Sequence, residues 1–230
     1  MVDVQEVLGV MKLCVLIPVY NEAENIGPLV EGLKKRGKEV VVINDGSTDG
    51  SGLIAQAKNA VVLSHVHRAG KGTSLRDGFD YAIQHNYDGV ITMDGDGQHD
   101  IEDLEKIAEK AKEIKSGIVT GSRMKNHRDM PWLRFLVNKA MSSMISFVCR
   151  QKIADTQCGF RFISTDILKS LHLSCSDYEI ESEVLIQSAK KGFKIISVPI
   201  KTIYGAESSK INPLVDTIRF FKYIIRELWT

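Results

Sequence analysis

Two aspartates stand two positions apart, directly after an apolar run, in the segment MDGDGQHD (residues 93–100). Carboxylate oxygens are the ligands that Mg²⁺ and Mn²⁺ prefer, and a pair at a strand end can share one cation with a diphosphate. Asp94 and Asp96 therefore predict a metal site that neutralises charge on a departing diphosphate. The alternative is an acidic turn in which Asp100 caps the following helix.

The ends of the first two predicted strands carry residues suited to a nucleotide. In PVYNE (18–22), Pro18 fixes the exit of the chain, Tyr20 offers an aromatic face to a base, and Glu22 can accept from ring N–H groups. In NDGSTDG (44–50), Asp45 is placed to bind ribose hydroxyls or a base edge. Each segment alone is also typical of a tight polar turn.

Two cations follow later strands. Lys71, in GKG (70–72), opens a predicted helix whose first N–H groups could meet phosphate, and Arg123 ends GSR (121–123). The GKS or GKT form of an ATP-type phosphate loop is missing, which disfavours kinase chemistry. His65 and His67 are weaker candidates for metal ligands. We expect His99 to support the acidic pair rather than to bind a metal.

Strands and helices alternate through the first half of the chain. Strands are predicted at 13–19, 40–43, 61–64, 89–93 and 118–120, and helices at 22–36, 51–58, 71–85 and 101–115. Such alternation gives a parallel sheet, which binds ligands at the carboxyl ends of its strands. Beyond it we predict a helix at 132–148, a Gly-centred stretch at 155–162, a helix at 179–191, a strand at 193–198 and a helix at 213–229.

Composition narrows the class of protein. The 230 residues suit one domain at 11–230 with an N-terminal extension at 1–10, and a formal net charge of +1 gives no reason to expect nucleic acid as a partner. The four cysteines form no CxxC pair, so we expect neither zinc nor disulfides and a reducing, cytoplasmic location. Neither a signal peptide nor a membrane span is predicted.

The chain resembles the family 2 glycosyltransferases, and among them the polyprenyl- or dolichyl-phosphate sugar synthases. The resemblance is carried by seven segments in this order: IPVYNE, INDGSTDG, AGKGTSLRDGF, MDGDGQH, GSR, DTQCGFR and GFKIISVPI. The resemblance implies a GT-A-type fold, which is an α/β, Rossmann-like, mostly parallel sheet flanked by helices in a single domain. It also implies metal-dependent, inverting transfer of a hexose from a nucleotide sugar to a polyprenyl phosphate, with Mg²⁺ or Mn²⁺. GDP-mannose is the favoured donor and UDP-glucose the next.

The resemblance assigns roles to particular residues. The nucleotide-sugar donor would be bound by Pro18, Tyr20, Glu22, Asp45, Lys71 and Asp94. The metal would be held by Asp94, Asp96 and Gln98. The catalytic positions would be Asp96 and Arg123. The acceptor would be bound by Arg123, Arg134, Asn138 and Arg161.

Many members of this group carry C-terminal membrane helices, whereas this chain ends without one. An apolar stripe at 214, 218, 221, 225 and 228, with basic residues on the same helix, suits a peripheral contact with the cytoplasmic face of a membrane. The helix at 132–148 has the same character. Burial of these stripes against the sheet or in a homo-oligomer is the alternative.

Two other functions stay open. One is transfer to a sugar or protein hydroxyl, for which Glu181 or Glu183 is a candidate base. The other is a non-catalytic nucleotide-sugar-binding subunit, which the acidic pair at Asp94 and Asp96 disfavours.

Overall fold

The computed structural model describes residues 11–125, 130–201, 203, 219–220, 222–224 and 226–227. Seven strands belong to one sheet: β1 (Leu13–Val19), β2 (Glu39–Asn44), β3 (Val61–Ser64), β4 (Gly89–Thr92), β5 (Ile118–Ser122), β6 (Arg161–Ser164) and β7 (Ile195–Pro199). The helices are α1 (Ala23–Lys35), α2 (Ser51–Ala57), α3 (Lys71–Gln84), α4 (Asp103–Ile114), α5 (Trp132–Cys149), α6 (Thr165–Ser170) and α7 (Ile180–Lys190). The N-terminal extension at 1–10 is outside the described residues.

The sheet has the order β3-β2-β1-β4-β6-β5-β7. Its strands are parallel except β6, which pairs antiparallel with both β4 and β5. A mostly parallel sheet is therefore confirmed, but the Gly-centred stretch at 155–162 was predicted without the strand that begins at Arg161. Four residues that end in serine are too short a pattern to show a strand in one sequence. The short helix α6 was missed for the same reason.

Apolar side chains cover both faces of the sheet. On one face α1 and α4 contribute Ile26, Leu33 and Ile107, and on the other α3 and α7 contribute Phe79 and Val184. Burial on both faces explains why the strands are continuous apolar runs rather than alternating ones. The carboxyl ends of the parallel strands consequently meet at one edge of a three-layer domain.

The five stripe positions at 214, 218, 221, 225 and 228 lie outside the described residues. The helical residues described nearby include Phe220, Tyr223 and Ile224, which are buried in the core on the α7 side. Lys190 on α7 also donates to the Glu227 carboxylate at 2.9 Å. The face formed by Phe220, Tyr223 and Ile224 is therefore part of the core. None of the described helices is both long and apolar enough to cross a membrane.

Candidate active site

The polar residues after β1 and β2 bind one another. Asn21 donates its backbone N–H to Ser47 Oγ (3.0 Å) and accepts from Thr48 N at Oδ1 (2.9 Å). The N–H of Ala23 donates to Asp49 Oδ2 at 2.9 Å, so Asp49 binds the first turn of α1 from the neighbouring loop. The two turns consequently form one rigid unit at the carboxyl ends of β1 and β2.

This unit presents three of the four residues that were predicted to hold the nucleotide. Tyr20 and Glu22 are half-buried after β1, and Asp45 is buried after β2. The Arg68 guanidinium lies over the Tyr20 ring, 4.4 Å from its centroid. Asp45 accepts from the N–H groups of Ala69 (2.7 Å) and Gly70 (3.0 Å), so its carboxylate binds the segment between β3 and α3. No local sequence pattern predicted these contacts.

Lys71 joins the predicted metal site to α7. Its Nζ donates to Asp94 Oδ1 at 2.6 Å and to Glu181 Oε1 at 2.5 Å. Burial alone would lower the pKa of Lys71, but the two carboxylates outweigh burial and raise it above its ordinary value. Lys71 is therefore a permanent cation between two carboxylates.

The backbone at the start of α3 has a different partner from the one predicted. The N–H groups of Gly72 and Thr73 donate to Ser176 O at 2.8 and 3.2 Å. A Cβ on Gly70 would meet the same carbonyl, and Gly70 has a φ of +98°. The expected phosphate contact through these N–H groups is wrong for this structure, because a backbone carbonyl satisfies them. Only the Lys71 side chain extends towards the acidic pair.

The two aspartates after β4 have unlike electrostatic surroundings. Burial would raise the pKa of Asp94, but Lys71 and His99 outweigh it and hold that pKa well below its usual range. His99 Nε2 lies 3.2 Å from Asp94 Oδ2. Burial and the neighbouring Asp94 charge raise the pKa of Asp96, whose Oδ1 accepts from the Gln98 N–H at 3.0 Å. Among the described residues, Asp94 forms an ion pair with Lys71, whereas Asp96 forms none.

A hard divalent cation fits this donor set. Asp94, Asp96 and the Gln98 amide offer oxygen ligands, and a cation at Asp96 would relieve the repulsion that raises its pKa. In the part of the chain that the structure describes, no three His, Cys, Asp or Glu side chains form a closed metal cluster. Two carboxylates and one amide leave coordination positions that a ligand such as a diphosphate can fill.

The stretch before β6 is packed directly against Asp94. A Cβ on Gly159 would lie 2.6 Å from Asp94 Oδ2, so only glycine permits this approach. Arg161, which is 2% exposed, donates to the carbonyls of Thr156 and Cys158 at 2.7 Å each and to the Glu181 carboxylate at 3.2 Å. Arg161 therefore shapes the loop that touches the acidic pair.

Arg123 is also bound within the protein. Its Nε and Nη2 donate to Asp155 Oδ2 (2.8 Å) and Oδ1 (3.0 Å), and both side chains are buried. The Arg123 guanidinium holds the pKa of Asp155 below its usual range although burial opposes this. Asp155 accepts from the Gln157 N–H as well, so the pair fixes the start of the same loop. A direct phosphate contact of Arg123 stays a prediction.

The two remaining acceptor candidates lie one turn apart on α5. Asn138 is 7% exposed, and its Nδ2 has no hydrogen-bond partner among the described residues. Arg134 precedes it by four residues and is half-buried. Residues at i and i+4 share a helix face. An unpaired buried donor beside a cation is a place where an anionic oxygen could bind.

The structure gathers some of the predicted residues and separates others. Pro18, Lys71, Asp94 and Arg161 line one pocket together with Glu181, at the ends of β1 and β4. Glu181, which sequence reasoning considered only as a base, is therefore a central member of the site. No local pattern could have predicted this role for Glu181, because its partner Lys71 lies 110 positions away in the sequence.

Glu183 has a different environment from Glu181. Its side chain is fully buried and accepts from the N–H groups of Ser174 and Cys175 at 2.9–3.1 Å. These bonds hold the loop whose Ser176 carbonyl caps α3. Glu183 is thus a structural residue, and the hypothesis that it is a general base is not supported by this geometry.

The fold and the acidic pair at a strand end together define a glycosyltransferase of the GT-A type. A sequence model of the family described as glycosyl transferase family 2 matches residues 14–171, which is more than half of the chain. The chain therefore belongs to glycosyl transferase family 2 and is an enzyme that transfers a sugar.

Two relatives and one solved structure show the range of similarity. The polyprenol monophosphomannose synthase of Mycolicibacterium smegmatis is 29% identical over 213 residues, covering 86% of this chain and 80% of that protein. The UDP-N-acetylglucosamine–dolichyl-phosphate N-acetylglucosaminyltransferase of Methanococcus voltae is 29% identical over 212 residues, covering 82% and 84%. The glucosyl-3-phosphoglycerate synthase of Mycobacterium tuberculosis, solved with Mn²⁺, UDP and phosphoglyceric acid, has a TM-score of 0.71 at 19% identity and covers 97% and 79%. The last match shows the fold alone.

Proposed function

We propose that this enzyme transfers a hexose, with inversion, from GDP-mannose to a polyprenyl phosphate. The observation that carries the choice of acceptor is the state of Glu181, which is bonded to Lys71 at 2.5 Å and to Arg161 at 3.2 Å. Each oxygen of this carboxylate already accepts from a cation, so Glu181 is not free to take the proton of a hydroxyl acceptor, which needs a base. A phosphate monoester has a second pKa near ~6 and arrives already ionised, so it needs none.

The donor and acceptor occupy different parts of the proposed site. The nucleoside end of the donor is held by Pro18, Tyr20, Glu22 and Asp45. Its diphosphate contacts Lys71. Arg134 and Asn138 receive the acceptor phosphate, for which the unpaired Asn138 Nδ2 is the supporting observation. Arg123 and Arg161 act on that phosphate through the loop they shape, since their guanidinium groups are bonded inside the protein.

We further propose that the enzyme uses Mg²⁺ or Mn²⁺, held by Asp94, Asp96 and Gln98. The bound cation supplies neutralisation of the charge that develops on the departing diphosphate. The raised pKa of Asp96 supports this assignment, as does the Mn²⁺ present with UDP in the tuberculosis synthase. Among the relatives, one name specifies mannose and the other UDP-N-acetylglucosamine, so the donor is tested directly below.

The proposed reaction is tested with the full chain, Mn²⁺, a short polyprenyl phosphate and one donor at a time: GDP-mannose, UDP-glucose or UDP-N-acetylglucosamine. We expect glycolipid only with the phosphorylated acceptor and fastest with GDP-mannose. The matched control is the polyprenol of the same length, which offers a hydroxyl instead of a phosphate. Equal transfer to polyprenol would move the assignment to a hydroxyl acceptor, and preference for a UDP-sugar would change the donor.

An apolar face of α5 is the proposed contact with the membrane that carries the acceptor. Trp132, Leu133, Leu136 and Val137 are between 47% and 73% exposed, and they lie on the helix that bears Arg134 and Asn138. Exposed aromatic and aliphatic side chains next to a cation are typical of peripheral membrane contacts. The location that we propose is the cytoplasmic face of the membrane.

Replacing Trp132 and Leu136 together by serine is expected to lower binding to anionic vesicles by at least about tenfold. Burying one large apolar side chain contributes about 1.5–3 kcal/mol, and two such contributions are lost. The measurement is co-sedimentation with vesicles. The matched control is Leu53→Ser, which removes another exposed leucine, on α2. Unchanged vesicle binding would exclude this face, and a dimer lost in the double variant would instead assign it to a homo-oligomer.

A further inference from the structure

The segment between β3 and α3 begins with a histidine that bridges two carboxylates. His65 Nδ1 lies 2.8 Å from Asp45 Oδ1, and His65 Nε2 lies 2.7 Å from Asp77 Oδ2 on α3. The His65 backbone N–H donates to Asn44 O at 2.9 Å. The ring, with 17% of its side chain exposed, therefore connects the end of β2 to α3.

Both ring contacts can be hydrogen bonds to carboxylates only when the ring is charged. A neutral imidazole carries one N–H and so donates to one carboxylate, whereas an imidazolium donates to two. Burial of the ring opposes protonation, but the bonds to Asp45 and Asp77 outweigh it and raise the pKa of His65 above its ordinary value. The other charged or titratable groups of its own segment are His67 and Arg68, and Arg68 stacks on Tyr20.

The orientation of Asp45 depends on this bridge. Its carboxylate accepts from three donors, which are His65 Nδ1 and the N–H groups of Ala69 and Gly70. The same segment carries Arg68 to the face of Tyr20. Loss of the His65 bond would therefore disturb Tyr20 and Asp45, two of the residues that are assigned to the nucleoside.

We propose that His65 is a positioning residue for the donor: as an imidazolium it holds Asp45 and residues 65–70 in the arrangement that binds the nucleotide. Its deprotonation weakens nucleotide binding and leaves the chemical step unchanged. The inference rests on the proposed function, because it takes Tyr20 and Asp45 as donor contacts. Nucleotide affinity is highest below the pKa of His65 and falls as pH rises through that pKa.

The test is calorimetric titration of GDP and UDP into the full chain with Mg²⁺, from about pH 6 to about pH 9, across the range in which a histidine titrates. We expect the dissociation constant to rise by about tenfold, because one proton is linked to binding. From about pH 7 upwards, where an acceptor phosphate with a second pKa near ~6 is already ionised, turnover at saturating donor should stay constant while the KM for the donor rises.

Two variants separate the bridge from other titrating groups. With Asp77→Asn the new amide can donate to Nε2 while Nδ1–H donates to Asp45, so a neutral ring suffices and the pH dependence should flatten with affinity retained. His65→Gln should bind weakly at every pH. If nucleotide affinity no longer varies with pH in Asp77→Asn, the pH dependence of the unaltered enzyme comes from His65 rather than from His99 beside Asp94.

Nitrogen NMR of the His65 ring gives a readout that does not depend on the donor. We expect both ring nitrogens to be protonated at neutral pH, with a titration above the ordinary histidine range. A ring that titrates at or below that range, or affinity that does not vary with pH in the unaltered enzyme, would overturn the proposal. If the ring titrates high yet no nucleotide binds at any pH, the proposed function fails and the donor role of His65 fails with it.

Discussion

Replacing Asp96 by asparagine is expected to reduce turnover by at least about a thousandfold while leaving the enzyme as stable as before. The loss in rate follows because several kcal/mol of charge stabilisation at the departing diphosphate would depend on the cation that we propose Asp96 helps to hold. Stability should be kept because the pKa of Asp96 is raised in the folded state, which means that its charge is unfavourable there. Turnover with Mn²⁺ and thermal unfolding measure the two effects.

The matched control is Asp100→Asn on the same loop. Asp100 Oδ1 accepts from the Glu102 N–H at 3.0 Å and belongs to the start of the next helix, so its variant should keep nearly full turnover. Asp94→Asn is a less clean test, because it also removes a partner of Lys71. Full activity of Asp96→Asn, or full activity of the unaltered enzyme in excess chelator, would contradict the metal assignment.

Replacing Arg123 by alanine is expected to destabilise the fold by about 3–5 kcal/mol, the usual result of leaving one member of a buried ion pair without its partner. Asp155 is 0% exposed, and the two side chains share two hydrogen bonds. In the unaltered protein the lowered pKa of Asp155 contributes stability above the unfolded pKa, which is lost as pH falls through the folded pKa. In the Arg123→Ala variant, protonation of the buried Asp155 carboxyl removes its unpaired charge. The loss in the free energy of unfolding should therefore become smaller as the pH falls towards about pH 5.

Urea unfolding measures this deficit at each pH. Arg134→Ala is the matched control, since Arg134 is half-buried on α5 and its removal should change stability by less than about 0.5 kcal/mol. The double variant Arg123→Met, Asp155→Asn should recover part of the loss, because it removes the unpaired charge and keeps an oxygen that can accept from the Gln157 N–H. An Arg123→Ala protein of normal stability that has lost turnover would instead favour the predicted contact with the acceptor phosphate.

The strands and helices of the first half were predictable because their signals are local. A strand buried on both faces, such as β1, is a continuous apolar run, and a turn rich in Asn, Asp and Gly follows it. The placement of Asp94 at the end of β4 and of Asp45 at the end of β2 follows from those signals and from the parallel sheet. Only the ends of these elements differ from the prediction.

The internal partners of the charged residues were not predictable from one sequence. Arg123 suggested a phosphate ligand, because an arginine after a strand looks the same whether its partner is a ligand or a buried carboxylate. Arg161 was assigned to the acceptor by the resemblance alone. The partner of Arg123 is 32 positions away, and that of Lys71 on α7 is 110 positions away. Such pairs depend on how helices and loops pack, for which local patterns carry no information.

The position of β5 in the sheet has a consequence for synthesis of the chain. β5 pairs only with β6 and β7, which both follow it in sequence, whereas β1 to β4 pair with one another. As the nascent chain lengthens, β1 to β4 can therefore assemble early. β5 and the open edge of β4 stay unpaired until β6 has been made. Unpaired strand edges are prone to aggregation. The acidic loop lies at the end of β4, so the half-made protein already contains Asp94 before Gly159, Arg161 and Glu181, which line the same pocket, have been made.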